Sequence, residues 1–270
     1  LHKGKYVAYP LHNCGGISKY PKFSKDGSKI AFISNFETGS TYEIYLTDIH
    51  GNSLERITYE ALGSEDEIFF NSEDEITFSC LTKQSHRESC LKKVNLLTKK
   101  VVEMGVYQGT QAICLDRTSY LFVRFQKQKA IQKYRGGQLR QIYKTREEKA
   151  GLEIKKIPLF DEANCYSPTI CQNELYFLSD VSSKARVYKY TDKGLVDVWG
   201  QDGYSIQSLS SKGGKLVMAS FGDIWVLDPK SFKASKLLIE LRGSPQRETS
   251  WFSIKNELEI AKNFRSPNNY

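Results

Sequence analysis

Four histidines, six cysteines, two acidic clusters and one basic stretch are the groups in this chain that could do chemistry. The histidines, His2, His12, His50 and His86, fall in predicted turns or near the amino terminus. Hydrolysis needs a nucleophile, a base within reach and oxyanion donors, and the sequence has no Gly-x-Ser-x-Gly elbow, His-Glu-x-x-His pair or phosphate loop. We therefore expect no catalytic residue and no cofactor in this chain, and a function based on binding.

The cysteines and the acidic clusters do not follow a metal-binding pattern. The cysteines form no Cys-x-x-Cys pair, which disfavours zinc. Residues 64–67 and 72–75 are acidic but lack the ligand alternation and the turn glycine of a calcium loop, so we interpret them as loop and turn residues. Cys80 and Cys90 flank a predicted hairpin and could pair across it, although the lack of a signal-peptide core favours reduced thiols and a cytoplasmic location. No apolar run is long enough to span a bilayer.

The basic stretch at residues 124–140 contains the candidate contact residues Lys133, Arg135 and Arg140. The whole chain carries a net charge of +8 and has a pI of about 9.0. Basic residues interleaved with aromatic ones are typical of single-stranded nucleic-acid binding, but 31 acidic residues spread along the same chain favour a protein or peptide partner instead. These three side chains either line a channel, where they would favour acidic peptides, or are solvated on a loop.

A recurring β pattern must position these residues. Residues 23–32 read FSKDGSKIAF, where Asp26-Gly27 predicts a two-residue hairpin turn with positive φ at both residues. The same order of an apolar strand, a polar turn and a second apolar strand returns along the chain at a spacing of roughly 40 to 55 residues, which is typical of propeller blades. The predicted second strands contain residues 30–32, 76–78, 120–123, 175–178 and 216–218. The predicted third strands contain residues 43–46, 89–92, 141–144, 186–189 and 223–226.

The repeated strand order predicts an all-β fold, specifically a β-propeller of six four-stranded blades with the first blade incomplete. A β-sandwich also has many short strands, but it does not require one strand order to repeat along the chain. We expect residues 1–241 to form the propeller, and residues 242–270 to be a crossover toward a following domain or part of a composite last blade. The predicted blade limits are a remnant at 1–12 and blades at about 20–60, 64–106, 110–158, 164–199 and 204–241.

The repeats resemble PD40 or TolB-type blades, with a Phe-Ser-x-Asp-Gly opening and an Ile-Tyr-x-x-Asp continuation at residues 44–48. Several later segments resemble the amino-terminal six-bladed propeller of the tricorn protease family. They are KYRGG at 133–137 before an Ile-Tyr strand, Ser-Pro at 167–168, YFLSD at 176–180 and GDIWVLDP at 222–229. Residues 244–248 and 264–269 resemble the crossover into that family's second propeller. The second and third repeats depart from the motif at their turns, 71–75 and 115–119.

This resemblance implies a non-catalytic domain of a serine peptidase whose catalytic residues lie in later domains, so that no catalytic residue transfers to this chain. The implied role is a peptide portal or docking surface in oligopeptide degradation. The implied partners are peptides, further domains of the same chain and further copies of the protein, without nucleic acid or membrane. Two alternatives remain open at this point: a TolB-like interaction module, and a free-standing propeller that binds a protein partner.

Overall fold

A computed structural model of the chain describes residues 6–8, 11, 15–62, 67–81, 89–116, 118–125, 134–148 and 151–241. All regular structure in these residues is β-strand. The chain divides into two compact units, one comprising residues 14–237 and the other comprising residues 1–13 with 238–270. The larger unit contains five four-stranded sheets, and in each sheet the strands lie side by side in chain order.

The five sheets are the blades of a propeller, and each is an antiparallel meander. The first contains β2 (Ser18–Phe23), β3 (Lys29–Ser34), β4 (Glu43–Asp48) and β5 (Leu54–Arg56), and the second contains β6 (Ile68–Phe70), β7 (Glu75–Leu81), β8 (Ser89–Asn95) and β9 (Val101–Tyr107). The third contains β10 (Gly109–Cys114), β11 (Ser119–Arg124), β12 (Gln141–Glu148) and β13 (Gly151–Lys156). The fourth contains β14 (Cys165–Cys171), β15 (Glu174–Ser179), β16 (Arg186–Thr191) and β17 (Gly194–Trp199). The fifth contains β18 (Ser208–Lys212), β19 (Lys215–Ser220), β20 (Asp223–Asp228) and β21 (Lys233–Lys236).

The predicted propeller is confirmed, but the prediction of six blades is wrong, because the described residues form five four-stranded sheets. In the smaller unit, β1 (Tyr6–Ala8) pairs with β22 (Ile239–Leu241) in a parallel two-stranded sheet. Each of these strands has only three residues, so the two together do not supply a further blade. The residues considered for a composite blade, 249–261, lie outside the described part of the chain.

The apolar core lies between neighbouring sheets. Strands β3 and β4, second and third in their sheet, are almost entirely buried, whereas the fourth strands β5, β13 and β21 are mainly exposed. One buried cluster joins the first and second sheets, and further clusters join each later pair of neighbours. Since each sheet covers the apolar faces of the sheets beside it, the blades stabilise one another, as expected for stacked repeats.

The turn at Asp26-Gly27 is wider than predicted. Gly27 has a φ of 79°, but Asp26 does not have positive φ. The carboxylate of Asp26 accepts hydrogen bonds from the hydroxyl of Ser24 at 2.6 Å and from the amide of Ser28 at 2.9 Å. These bonds stabilise a four-residue loop, closed by the amide of Ser24 donating to the carbonyl of Lys29 at 2.9 Å. The aspartate side chain therefore caps its own turn in place of the tighter hairpin.

Two of the cysteines were considered for a disulfide across a predicted hairpin. Cys80 and Cys90 face each other across β7 and β8, and both are buried thiols. Cys14 lies outside the described residues.

Candidate functional site

The first strands of the five sheets bring polar side chains together. Each first strand contacts the first strand of the next sheet, from β2 to β6, β10, β14 and β18. Three of them contain an irregularity at the same place, where the strand register shifts around a residue with positive φ. These residues are Tyr20 with φ 53°, Gln111 with φ 50° and Ser167 with φ 51°. Such bulges redirect side chains and are frequent beside functional sites.

Gln111 links three blades through its amide group. Its Nε2 donates to Oε1 of Glu67 in the second blade at 2.7 Å, and its Oε1 accepts from the amide of Ser167 in the fourth blade at 2.8 Å. Glu67 directly precedes the first strand β6, and Ser167 lies in the first strand β14. One side chain at a bulge therefore fixes the position of a carboxylate in the neighbouring blade.

Arg135 is held by a carboxylate clamp. Its Nη1 donates to Oδ1 of Asp180 at 3.1 Å, and its Nη2 donates to the carbonyl of Asp180 at 3.0 Å. The same carboxylate accepts from the amide of Asn164 at 3.0 Å and from its Nδ2 at 2.8 Å. The Asn164 Oδ1 in turn accepts from the amide of Arg140 at 3.1 Å. The clamp thus joins the segment before β12 to the start of β14 and the end of β15.

Arg140 directs its guanidinium onto an aromatic ring. Its Cζ lies 3.6 Å from the ring centroid of Tyr166, a contact of cation–π type. Burial lowers the pKa of Arg140, opposed by the nearby Tyr166, Asp180 and Glu67. Burial also raises the pKa of Tyr166, and the positive charge of Arg140 opposes that rise. Arg140 is therefore a partly buried cation that lies against this ring.

Lys22 is a second cation in the same region, on the first strand of the first blade. Its Nζ lies 4.5 Å from the ring centroid of Phe69, on the first strand of the second blade. Burial lowers the pKa of Lys22, and the negative charge of Glu67 opposes this shift. We call Lys22, Glu67, Gln111, Arg140 and Tyr166 the inner-strand cluster.

Of the predicted contact residues, Lys133 lies outside the described part of the chain. Arg135 and Arg140 both lie beside Asn164, but their guanidinium groups have different partners. That of Arg135 pairs with the carboxylate of Asp180, whereas that of Arg140 lies over the ring of Tyr166 in the inner-strand cluster. Whether they contact peptides stays a prediction.

Sequence reasoning missed Lys22 and Gln111 and treated Glu67 as a loop residue. The available signal was a repeated x-Pro pair, Tyr20-Pro21 and Ser167-Pro168, which marks equivalent first-strand bulges.

The described residues contain no group of three or more His, Cys, Asp or Glu side chains that could hold a metal ion. Among these same residues His50 is exposed in a turn, as expected. No helix in the described ranges has the length and apolar character that crossing a membrane requires.

The sequence comparisons agree with the repeat pattern. A family model described as the tricorn protease N-terminal beta propeller domain matches residues 6–233. The tricorn protease homolog of Saccharolobus solfataricus is 25% identical over 246 residues, which cover 84% of this chain and 21% of the relative. The chain thus spans only 21% of the length of this curated relative.

Solved structures show the same fold. The crystal structure of the tricorn protease matches with a TM-score of 0.73 and 22% identity, over 87% of this chain and 24% of the other. A putative TolB from Agrobacterium tumefaciens matches with a TM-score of 0.59 and 14% identity, over 82% of this chain and 80% of the other. At these identities the structural matches support the architecture alone.

Proposed function

This chain belongs to the family of tricorn protease N-terminal beta propeller domains, and from that premise we propose that it is a peptide portal or docking surface. In this proposal it is the non-catalytic propeller of a tricorn-like serine peptidase and contacts oligopeptides during their degradation. The family match over residues 6–233 carries the proposal. Further domains of the same polypeptide would supply the nucleophile, the base and the oxyanion donors.

The inner-strand cluster supports a role in peptide contact. Fully apolar first strands would pack the blades together without offering hydrogen bonds to a peptide, whereas here the first strands and the residues beside them present an amide, a carboxylate and a lysine, and Arg140 before β12 adds a second cation. Charged groups that are partly withdrawn from water cost free energy unless they are paired, which favours a use of these side chains beyond packing. Polar groups concentrated at the first strands would also focus an electrostatic field on a bound peptide.

The proposal is tested by the intact mass and activity of the protein from its native source. We expect a mass several-fold larger than the 30.9 kDa of this chain, together with cleavage of short fluorogenic peptides that a serine-directed inhibitor abolishes. A native mass near 30.9 kDa without peptidase activity would refute the proposal.

A TolB-like or free-standing propeller that binds a protein partner is the second candidate. It is favoured by one observation, that two TolB matches cover 54% and 80% of the TolB chains, compared with 24% for the tricorn protease. The same mass measurement separates the two candidates. A small native protein recovered with one stoichiometric partner would support this second function.

A further inference from the structure

Glu67 is the shared neighbour of two partly buried cations. Its charge acts on Lys22 from the first-blade side and on Arg140 from the third-blade side. Among the described residues, neither cation forms an ion pair within 4.0 Å. Their charged groups instead lie over aromatic rings, those of Phe69 and Tyr166. One carboxylate therefore stands against two partly buried positive charges.

Glu67 also accepts a hydrogen bond from the third blade. Its Oε1 accepts the 2.7 Å hydrogen bond from Gln111, which is in turn anchored by the amide of Ser167. This bridge holds the carboxylate in place, so it cannot swing to form a close pair with both cations. Cations that are partly withdrawn from water bind anions more strongly than fully solvated ones do, so this cluster favours one further negative group.

We propose that Lys22 and Arg140 bind an aspartate or glutamate side chain of a peptide, with Glu67 limiting the affinity. This inference rests on the proposed function and deepens it by assigning the substrate class, acidic peptides, to named side chains. The incoming carboxylate would accept hydrogen bonds from the ammonium and the guanidinium. The rings of Phe69 and Tyr166, over which the ammonium and the guanidinium lie, would hold these two charged groups in position.

Two labelled peptides test the proposal by fluorescence anisotropy with the 270-residue chain. Both are acetylated at the amino end and amidated at the carboxyl end, so neither terminus is charged. One carries three glutamates and the other carries glutamines at the same places. Lys22→Met and Arg140→Met remove the charge but keep an unbranched apolar side chain. Each should weaken binding of the glutamate peptide about tenfold, as expected for loss of one charge-assisted hydrogen bond. Binding of the glutamine peptide should change by less than about twofold.

The reverse change gives the opposite sign. Glu67→Gln keeps the acceptor oxygen for Gln111 but removes the competing charge, so it should strengthen binding of the glutamate peptide about threefold or more. A gain of this kind cannot result from misfolding. Lys189→Met is the matched control, because its Nζ also lies over a ring, 6.0 Å from the centroid of Tyr176, but on a third strand. It should leave both affinities unchanged.

The outcomes separate this inference from the proposed function. If both peptides bind equally and none of the cluster variants changes the affinity, the acidic-peptide inference is wrong and the portal proposal stands. If neither peptide binds, both are refuted.

Discussion

Asp180 should contribute far more to stability than the arginine that it pairs with. Its side chain is 14% exposed and accepts two hydrogen bonds from Asn164, whereas the Arg135 side chain is 37% exposed. Removing the negative charge by Asp180→Asn perturbs both interactions. Removing the arginine by Arg135→Met perturbs only the more exposed one. The two variants therefore measure the buried and the exposed parts of the clamp separately.

The magnitudes follow from these contacts. A hydrogen bond to a charged group contributes about 1.5–3 kcal/mol, and a partly exposed ion pair about 1 kcal/mol or less. Asparagine at position 180 retains one acceptor oxygen, so it loses one of the two Asn164 bonds and the attraction to Arg135. We expect Asp180→Asn to lower the free energy of unfolding by about 3 kcal/mol and Arg135→Met by about 1 kcal/mol.

Equilibrium urea unfolding of the two single variants and the double variant provides the assay. The midpoints should rank wild type, Arg135→Met and Asp180→Asn in order of decreasing stability. The coupling energy between positions 135 and 180 should be about 1 kcal/mol or less. Hydrogen exchange at the amide of Asn164, which donates to Asp180, should accelerate in Asp180→Asn and not in Arg135→Met. Equal losses in the two variants, or a larger loss in Arg135→Met, would show that the bonds between Asn164 and Asp180 contribute no more than the exposed ion pair.

Four further predictions concern other parts of the fold. Glu43 is 2% exposed, accepts three hydrogen bonds and pairs with an arginine. Glu43→Gln should therefore lower the free energy of unfolding in urea by about 3 kcal/mol. The control Glu153→Gln, at an exposed ion pair, should change it by less than about 0.5 kcal/mol. Gln111→Met removes both bonds of the inter-blade bridge and should cost about 2 kcal/mol by the same assay; no loss would show that the bridge is dispensable. Hydrogen bonds from serines hold the pKa of Asp26 well below its unfolded value. The stability that Asp26 contributes is therefore present above about pH 4 and is lost as the pH falls. The unfolding midpoints of Asp26→Asn should decline less steeply than those of wild type between about pH 5 and pH 3. Burial raises the pKa of Cys165 to about 11. The stability that the buried Cys165 thiol contributes is therefore fully present below about pH 8.5 and is lost as the pH rises. The urea midpoints of Cys165→Ala should decline less steeply than those of wild type above that pH. Parallel curves would contradict the raised pKa of Cys165.

The strand order of each blade could be predicted from the sequence because it is encoded locally. Residues 30–32 and 175–178 lie in second strands, and residues 43–46 and 223–226 lie in third strands, as the repeat predicts. Most of their apolar side chains are buried or partly buried between neighbouring sheets, so the apolar runs report the environment of the strands directly. The same holds for the second and third blades, whose turns depart from the motif, because their strands keep the apolar pattern.

The number of blades could not be predicted, because it depends on pairing between distant segments. Nothing local in residues 6–8 indicates that they pair in parallel with residues 239–241. The turn at Asp26-Gly27 was mispredicted for a different reason, since the aspartate can either adopt positive φ or accept hydrogen bonds from neighbouring serines. Sequence alone does not decide between these two conformations.

The site was found only in part. Arg135 and Arg140 were identified from the density of basic residues, which does not distinguish an arginine paired with a carboxylate from one that lies over an aromatic ring. Lys22, Glu67 and Gln111 belong to the first strands of three different blades or precede them, and only the fold brings them together. A side chain whose importance comes from long-range neighbours leaves no local pattern.

Mapping where a peptide binds tests the central claim most directly. A capped acidic peptide carrying a photoreactive diazirine is bound to the full chain, irradiated and located by mass spectrometry. Binding at the inner-strand cluster should give crosslinks in the segments that contain Lys22, Glu67 and Gln111, and unlabelled acidic peptide should compete with them. Crosslinks confined to fourth strands such as Leu54–Arg56 or Lys233–Lys236 would contradict binding at this cluster.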